Sequence, residues 1–258
     1  MLEMTRRELK VLLDHRMFSD SDAALTELSS DLKGCAQRAS ASLQGRFEKT
    51  ETRELTFLDT PDHTVLGNGF VFRRRREKER SEYTLKYRSL DRYIAAAADV
   101  GAGVGLAPDE KFEEDIGAPY VSRFSLSNTI KGPDDVPATV GDAARLFPVL
   151  GQLTRDSRNC PGDVVLLPVG TFTPFERVNT GPAFEIAGKQ AEVAIILWSN
   201  GPSGRLHAAE LSFRYKDKDE QFSGAVARTG MRLFEEIQRL DWCAPENRTK
   251  TQLAYRSL

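Results

Sequence analysis

Cysteine is scarce in this chain: Cys35, Cys160 and Cys243 are odd in number and far apart. That pattern argues against a disulfide framework, and the lack of any Cys-x-x-Cys pair removes the usual structural zinc site, so a reducing cytoplasm is the expected compartment. Histidine is equally sparse. His15, His63 and His207 fall in no metal-binding spacing, and neither a Gly-x-Ser-x-Gly elbow nor a Walker Gly-x-x-x-x-Gly-Lys loop is present. The glycines of Gly101-Ala102-Gly103-Val104-Gly105 fit a dinucleotide loop poorly. The third glycine comes one residue early, and no acidic residue follows a βαβ unit.

Long apolar runs are missing too. The longest, Ala191 to Trp198, is interrupted by Glu192, whereas a bilayer span needs roughly 20 apolar residues. The N-terminus has no basic start followed by an apolar stretch, so neither a membrane nor a secretory route is expected. Neither sign of charge dominates: 36 Lys plus Arg face 38 Asp plus Glu, a formal charge of -2. No global field draws the protein to nucleic acid, no stable nucleic-acid partner is expected, and anion affinity has to come from local clustering.

What is present suits a packed core: 258 residues, 40% hydrophobic and 29% charged, without a fixed repeat or low-complexity linker, so residues 1–258 are read as one domain. Arg6 to Leu13 alternates as a strand with Glu8 and Lys10 on one face. Residues 20–46 carry helical spacing at Leu25, Leu28 and Leu32. Strand patterns follow at 55–59, 70–76, 82–88 and 110–116, with a loop at 93–108 and a short helix at 140–150. Further strands are read at 164–167, 171–177, 185–186, 191–198 and 206–215, the last two as a hairpin. A helix over 220–240 closes the pattern, and its open roles are a lid, a core brace or the surface of a homodimer. Eight or more short strands with few intervening helices predict an antiparallel sheet that curls into a barrel.

The conspicuous feature is Arg73-Arg74-Arg75-Arg76, which a strand of period two divides between its faces. Either the strand ends in solvent, with Glu77 and Glu79 as local partners, or one face lines a wet, anion-holding interior. Lys86, in Tyr83-Thr84-Leu85-Lys86, and Lys10 and Arg177 on other strands supply further cations for such a clamp. Converging guanidinium and ammonium groups suit a chain of phosphates. Interleaved acids such as Glu8 and Glu210 would hold a hard cation bridging those phosphates.

Phe57-Leu58-Asp59-Thr60-Pro61-Asp62, then Gly69-Phe70-Val71-Phe72-Arg73-Arg74-Arg75, then Thr84-Leu85-Lys86 resembles the motif order of the CYTH, or triphosphate tunnel metalloenzyme, superfamily. Glu8-Leu9-Lys10, the acidic strand Lys111 to Asp115, Arg177, Ala209-Glu210-Leu211-Ser212-Phe213, and Arg248-Thr249-Lys250 before Tyr255 extend the resemblance over nearly the whole chain. It implies an α+β fold: an eight-stranded, mainly antiparallel barrel with flanking helices whose lumen binds a triphosphate-bearing small molecule with Mg²⁺ or Mn²⁺. By position, Lys10, Arg73, Arg75, Lys86 and Arg177 would contact phosphates. Glu8, Glu210 and Glu113 would ligate metal, with Lys111 and Asp115 also facing the lumen. Glu8, Lys10 and Lys86 would carry the catalysis. Two departures stand out. The family's Glu-x-Glu-x-Lys opening has Arg6 in its first position, and Ala208 and Ser212 flank Glu210 where carboxylates are expected. Metal-dependent triphosphate hydrolysis, adenylate cyclisation and noncatalytic polyphosphate binding all remain open at this point.

Overall fold

The computed structural model describes residues 2–154, 162–170, 173–245 and 250–255. Cys160, Arg248 and Thr249 lie outside the described residues. Eleven strands form one sheet: β1 (Arg6–Leu13), β2 (Ser42–Gln44), β3 (Lys49–Asp59), β4 (Phe70–Glu77), β5 (Arg80–Ser89), β6 (Asp109–Gly117), β7 (Val121–Gly132), β8 (Leu167–Pro168), β9 (Pro174–Ile186), β10 (Lys189–Asn200) and β11 (Leu206–Lys216). Nine of them close into a ring, β9-β10-β11-β1-β6-β7-β5-β4-β3, because β3 pairs with both β4 and β9. The architecture is α+β and mainly antiparallel, with one strand more in the ring than the resemblance implies. A ring whose neighbours all run antiparallel needs an even number of strands. With nine, one parallel junction is forced, and it falls between β1 and β6.

Helices α1 (Ser21–Arg38), α2 (Thr64–Gly67), α3 (Arg92–Ala96), α4 (Val140–Leu146), α5 (Val149–Leu153), α6 (Gly224–Gln238) and α7 (Lys250–Tyr255) complete the fold. None of the described helices is long and apolar enough to cross a membrane. Asp20 caps α1 by accepting from the Ala23 amide, and Leu25, Leu28 and Leu32 are buried along one side as their spacing predicts. The helix stops at Arg38 rather than reaching residue 46, because Ser40 takes a left-handed conformation, φ 59°, that turns the chain into β2. The segment read as one helix over 140–150 is two. Phe147, the residue before Pro148, is extended, as proline's ring demands of its predecessor. The loop read over 93–108 begins as the end of α3, and Gly103 packs so tightly that an added Cβ would meet the Arg145 carbonyl oxygen at 2.0 Å. That is a packing glycine, not a phosphate cradle.

Two apolar layers clothe the outside of the ring. On one side α1 and α6 pack over Leu9, Val11, Ile195, Leu211 and Phe213. Val226, Leu233, Phe234 and Ile237 of α6 lie within this layer, so α6 is a core brace rather than a lid. Fully burying one such Leu or Phe contributes roughly 1.5–3 kcal/mol. On the other side α3, α4 and α5 cover Phe72, Tyr83, Leu85, Leu126 and Ile130. Because side chains alternate along a strand, fixing these residues outward sends their neighbours inward. Cys35 and Cys243 are free thiols.

Candidate anion-binding site

On β1, Leu9, Val11 and Leu13 face the helices, so Glu8 and Lys10 point into the ring. On β4, Phe70 and Phe72 face outward, and Arg73 and Arg75 point in. On β5, Tyr83 and Leu85 face outward, and Lys86 and Arg88 point in. The arginine run is thereby resolved. Arg74, buried on the outer face, donates to Ser81 Oγ at 2.9–3.1 Å and to the Asp134 carbonyl oxygen at 2.5 Å, while Arg76 is exposed.

The interior groups meet around Asp115, which β6 sets beside Glu8 in the parallel register. Lys10 Nζ lies 2.8 Å from Glu8 Oε2 and 2.8 Å from Asp115 Oδ1. Lys86 Nζ lies 3.0 Å from Asp115 Oδ2 and 3.7 Å from Glu113, and Arg88 Nε lies 3.5 Å from Asp115. Arg6 reaches Glu113 at 3.2 Å. Burial pushes the Glu8 and Asp115 carboxyls up, but the nearby cations together outweigh it, Lys10 first at both, with Lys86 and Arg88 added at Asp115, and hold both well below the usual carboxylate range. Burial works against the Lys10 cation as well, yet Asp115 and Glu8 keep it above an ordinary lysine. Lys86 goes the other way. Burial, with Arg88 and Lys10 close by, lowers it despite Asp115.

Arg73 and Arg75 occupy the least compensated part of the wall. Burial first, then Arg75, Arg53 and Arg88, bring the Arg73 guanidinium down to about 10, and Glu176 offsets only part of that. No carboxylate among the described residues lies within ion-pair distance of Arg73. Arg75 is also lowered, by burial and then Arg53; its Nη1 lies 3.6 Å from Glu82, but its Nε is buried without a hydrogen-bond partner. Glu176 is already engaged: Arg53 Nε donates to it at 2.7 Å and Trp198 Nε1 at 2.7 Å. Positive charge without a matching acid is what an anion fills.

Arg177 does not join this group. It sits on the outer face of β9, where its Nη2 reaches Asp22 of α1 at 2.9 Å. A bulge is responsible: two residues, Gly181 and Pro182, stand opposite Val193 alone, so the inward phase of β9 reverses along its length. Lys111 pairs with Asp109 on its own strand. Arg88, Arg53, Arg6 and Glu176 belong to the interior but carry no motif. Arg88 was within reach of the period-two count that found Lys86. Arg6 was within reach of the count that places Glu8 and Lys10, and Arg53 and Glu176 depend on strand register.

The expected metal ligands do not converge. Glu8 stands opposite Arg214 in the β1–β11 ladder and Glu210 opposite Leu12, four positions along the strand, or roughly 13 Å at about 3.3 Å per residue. Mg²⁺ demands oxygens at about 2.0–2.1 Å. Glu113 and Glu8 are each ion-paired, and no group of three His, Cys, Asp or Glu among the described residues is placed to hold a metal. The donor set does not fit a divalent ion held by Glu8, Glu210 and Glu113.

Directly beside the interior cations the wall is apolar, with Leu55 opposite Arg75, Phe57 opposite Arg73 and Val71 opposite Lys86. Leu55, Phe57, Val71, Trp198 and Ala208 form a cluster there, with Phe57 and Trp198 centroids 5.9 Å apart. Helix α7 covers it: Ala254 is buried among these residues, Leu253 and Tyr255 pack beside it, the Tyr255 hydroxyl donates to Asp59 at 3.0 Å, and Arg88 Nη1 donates to Thr251 Oγ1 at 3.3 Å, so the helix also touches the cationic group.

No protein-family model and no curated protein matches this sequence. Among solved structures, the chain is similar to an adenylyl cyclase candidate from Hippeastrum that shows a dominant triphosphatase activity (12% identity, 98% of this chain and 96% of that one, TM-score 0.44). It is also similar to an adenylate cyclase candidate from Bacillus halodurans (13% identity, 97% of each chain, TM-score 0.44). A third such candidate, from Vibrio parahaemolyticus, aligns at 12% identity over 98% of both chains with a TM-score of 0.35.

Proposed function

We propose that the ring interior binds a triphosphate-bearing small molecule and that the chain hydrolyses one of its phosphoanhydride bonds. The observation that carries this reading is the convergence of Lys10, Arg73, Arg75 and Lys86 from three strands onto one interior wall, with no carboxylate among the described residues in ion-pair range of Arg73. Phosphoryl transfer asks a protein mainly for positioning and for charge stabilisation on the transferring and leaving oxygens. Arg73 and Arg75 suit the phosphate oxygens as forked donors, and Lys10 and Lys86 as point charges. Water adds to the terminal phosphorus, the bridging P–O bond breaks, and its electron pair leaves with the diphosphate. The water's proton passes to solvent or to a phosphate oxygen.

Cyclisation of a nucleotide would need room for its base. The aromatic wall of the interior, which adjoins Arg73 and Arg75, is covered by α7 and offers a base no open stacking surface, and this favours hydrolysis over that reaction. Binding without turnover is the second reading, supported by the ion pairing of Glu8, Glu113 and Asp115. Pure protein incubated with tripolyphosphate, thiamine triphosphate or ATP is expected to release phosphate from at least one of them, and Arg73→Ala to abolish the release. Saturable binding with no product would replace hydrolysis by the second reading. A lack of binding to all three would refute the proposal.

A further inference from the structure

We infer that this chain grips its phosphate chain without a divalent cation, the Lys10 ammonium occupying the acidic seat that such an ion would need. The inference rests on the reading of the interior as a triphosphate site. It begins with the two carboxylates that are neighbours there. Glu8 and Asp115 stand side by side on the parallel pair β1–β6, and a hard cation would choose to bridge them. Lys10 Nζ already lies between them, 2.8 Å from each.

The remaining acids offer no second seat. Glu113 is held by Arg6 at 3.2 Å, with Lys86 at 3.7 Å. Glu210 lies four positions away along the ladder, and its interior neighbours on β11, Ala208 and Ser212, bring no carboxylate. Arg6 matters for a further reason. The first interior position of β1 places a fixed positive charge where an acid would draw a metal, and like charges repel an incoming ion.

The cations also supply what a metal would bring. Arg6, Lys10, Lys86 and Arg88 balance Glu8, Glu113 and Asp115, with Glu210 acting on Lys10 from further along β11, so the surplus positive charge lies with Arg73. A chain of phosphates entering the ring finds neutralising charge in place and guanidinium forks to hold its oxygens. A divalent ion would have to displace Lys10 from both carboxylates and then tolerate that ammonium nearby.

Calorimetry with sodium tripolyphosphate separates this inference from the reading beneath it. The full chain is titrated once in EDTA and once with Mg²⁺ or Mn²⁺. Binding in EDTA at an affinity within about twofold of the metal-containing titration, or tighter, supports the inference. Binding that tightens about tenfold or more with metal overturns it while leaving the triphosphate site standing. No binding under either condition overturns the site itself. Mn²⁺ titrated onto the protein alone, followed by electron paramagnetic resonance of the free ion, gives a second readout, and stoichiometric uptake overturns the inference. Lys10→Gln is expected to weaken tripolyphosphate binding in EDTA by about tenfold or more, and Lys10→Arg to restore part of the loss. Both variants are checked for native circular dichroism. If Lys10→Gln is misfolded, the Mn²⁺ and EDTA titrations of the unaltered chain still decide the matter.

Discussion

Replacing Arg73 by glutamine tests whether its charge is kept for a ligand at the expense of the fold. Its guanidinium is brought down from the ordinary arginine range to about 10, first by burial and then by Arg75, Arg53 and Arg88. At neutral pH the group is charged both folded and unfolded, so the folded chain bears the whole cost. At about 1.4 kcal/mol per pKa unit this reaches roughly 3 kcal/mol, of which a smaller polar side chain should recover about 1 kcal/mol. The sign with pH follows. The penalty is relieved only as pH rises past about 10, where the folded chain loses this proton before the unfolded chain does. In a chain of this size about 1 kcal/mol corresponds to roughly 2–4 °C, so Arg73→Gln should melt a few degrees higher than the native chain without ligand. Most substitutions destabilise, which makes a gain diagnostic. With tripolyphosphate the order should reverse. Ligand at about 100 times Kd stabilises the native chain by roughly 2.7 kcal/mol, and the variant, lacking one charge-assisted contact worth about 1.5–3 kcal/mol, should gain little. Scanning calorimetry with and without tripolyphosphate measures both effects. A variant that melts several degrees lower, or that keeps the native ligand-induced rise, refutes the argument that Arg73 is an uncompensated anion receptor.

Four further outcomes are expected. Glu176→Ala strands the Arg53 cation and the Trp198 indole N–H, both partly or wholly buried, and should cost about 3–5 kcal/mol in urea unfolding. Arg177→Ala removes an exposed pair with Asp22 and should change stability by less than about 1 kcal/mol, with tripolyphosphate affinity unaltered by calorimetry. Removing residues 250–258 uncovers the aromatic wall of the interior, so Trp198 emission, isolated in a Trp242→Phe background, should shift to the red; an unmoved spectrum would mean that α7 does not cover that wall. Glu8 and Asp115 are held below ordinary carboxylate values, so the stability they contribute is present at neutral pH and lost as acidification passes below about 4. Denaturant midpoints at pH 7 and pH 3 should show it, and the loss should shrink in Lys10→Gln.

The inward phase of β1, β4 and β5 was legible because each strand carries its own reference marks. Leu9 and Val11, Phe70 and Phe72, and Tyr83 and Leu85 tell a period-two count which residues face the core. Lys10, Arg73, Arg75 and Lys86 follow from those marks, and Arg88 lies one further step along the same count. Arg177 was misplaced because β9 contains a bulge. Counting back from the core residues Phe184 and Ile186 gives one phase, and counting forward from Glu176 gives the other. The Arg53–Glu176–Trp198 group was out of reach for a different reason. Its members meet through the β3–β9 and β9–β10 registers, and no local pattern reports pairing between segments so distant in the chain. The ends of helices showed a similar limit. Ser40 carries no composition signal strong enough to announce the left-handed turn that ends α1.

The position of the first strand has a consequence for biosynthesis. Its two partners are β6 and β11, and the second of these leaves the ribosome about 200 residues later, some 10–40 s at about 5–20 residues per second. Until β6 emerges, about 100 residues on, β1 waits with both edges unsatisfied, its second edge stays open until β11 follows, and ring closure is postponed until then. Glu8 and Lys10 on one side of that waiting segment keep it from offering an unbroken greasy ribbon to other nascent chains. The same charged pair that faces the interior of the finished ring thus also guards its unfinished edge.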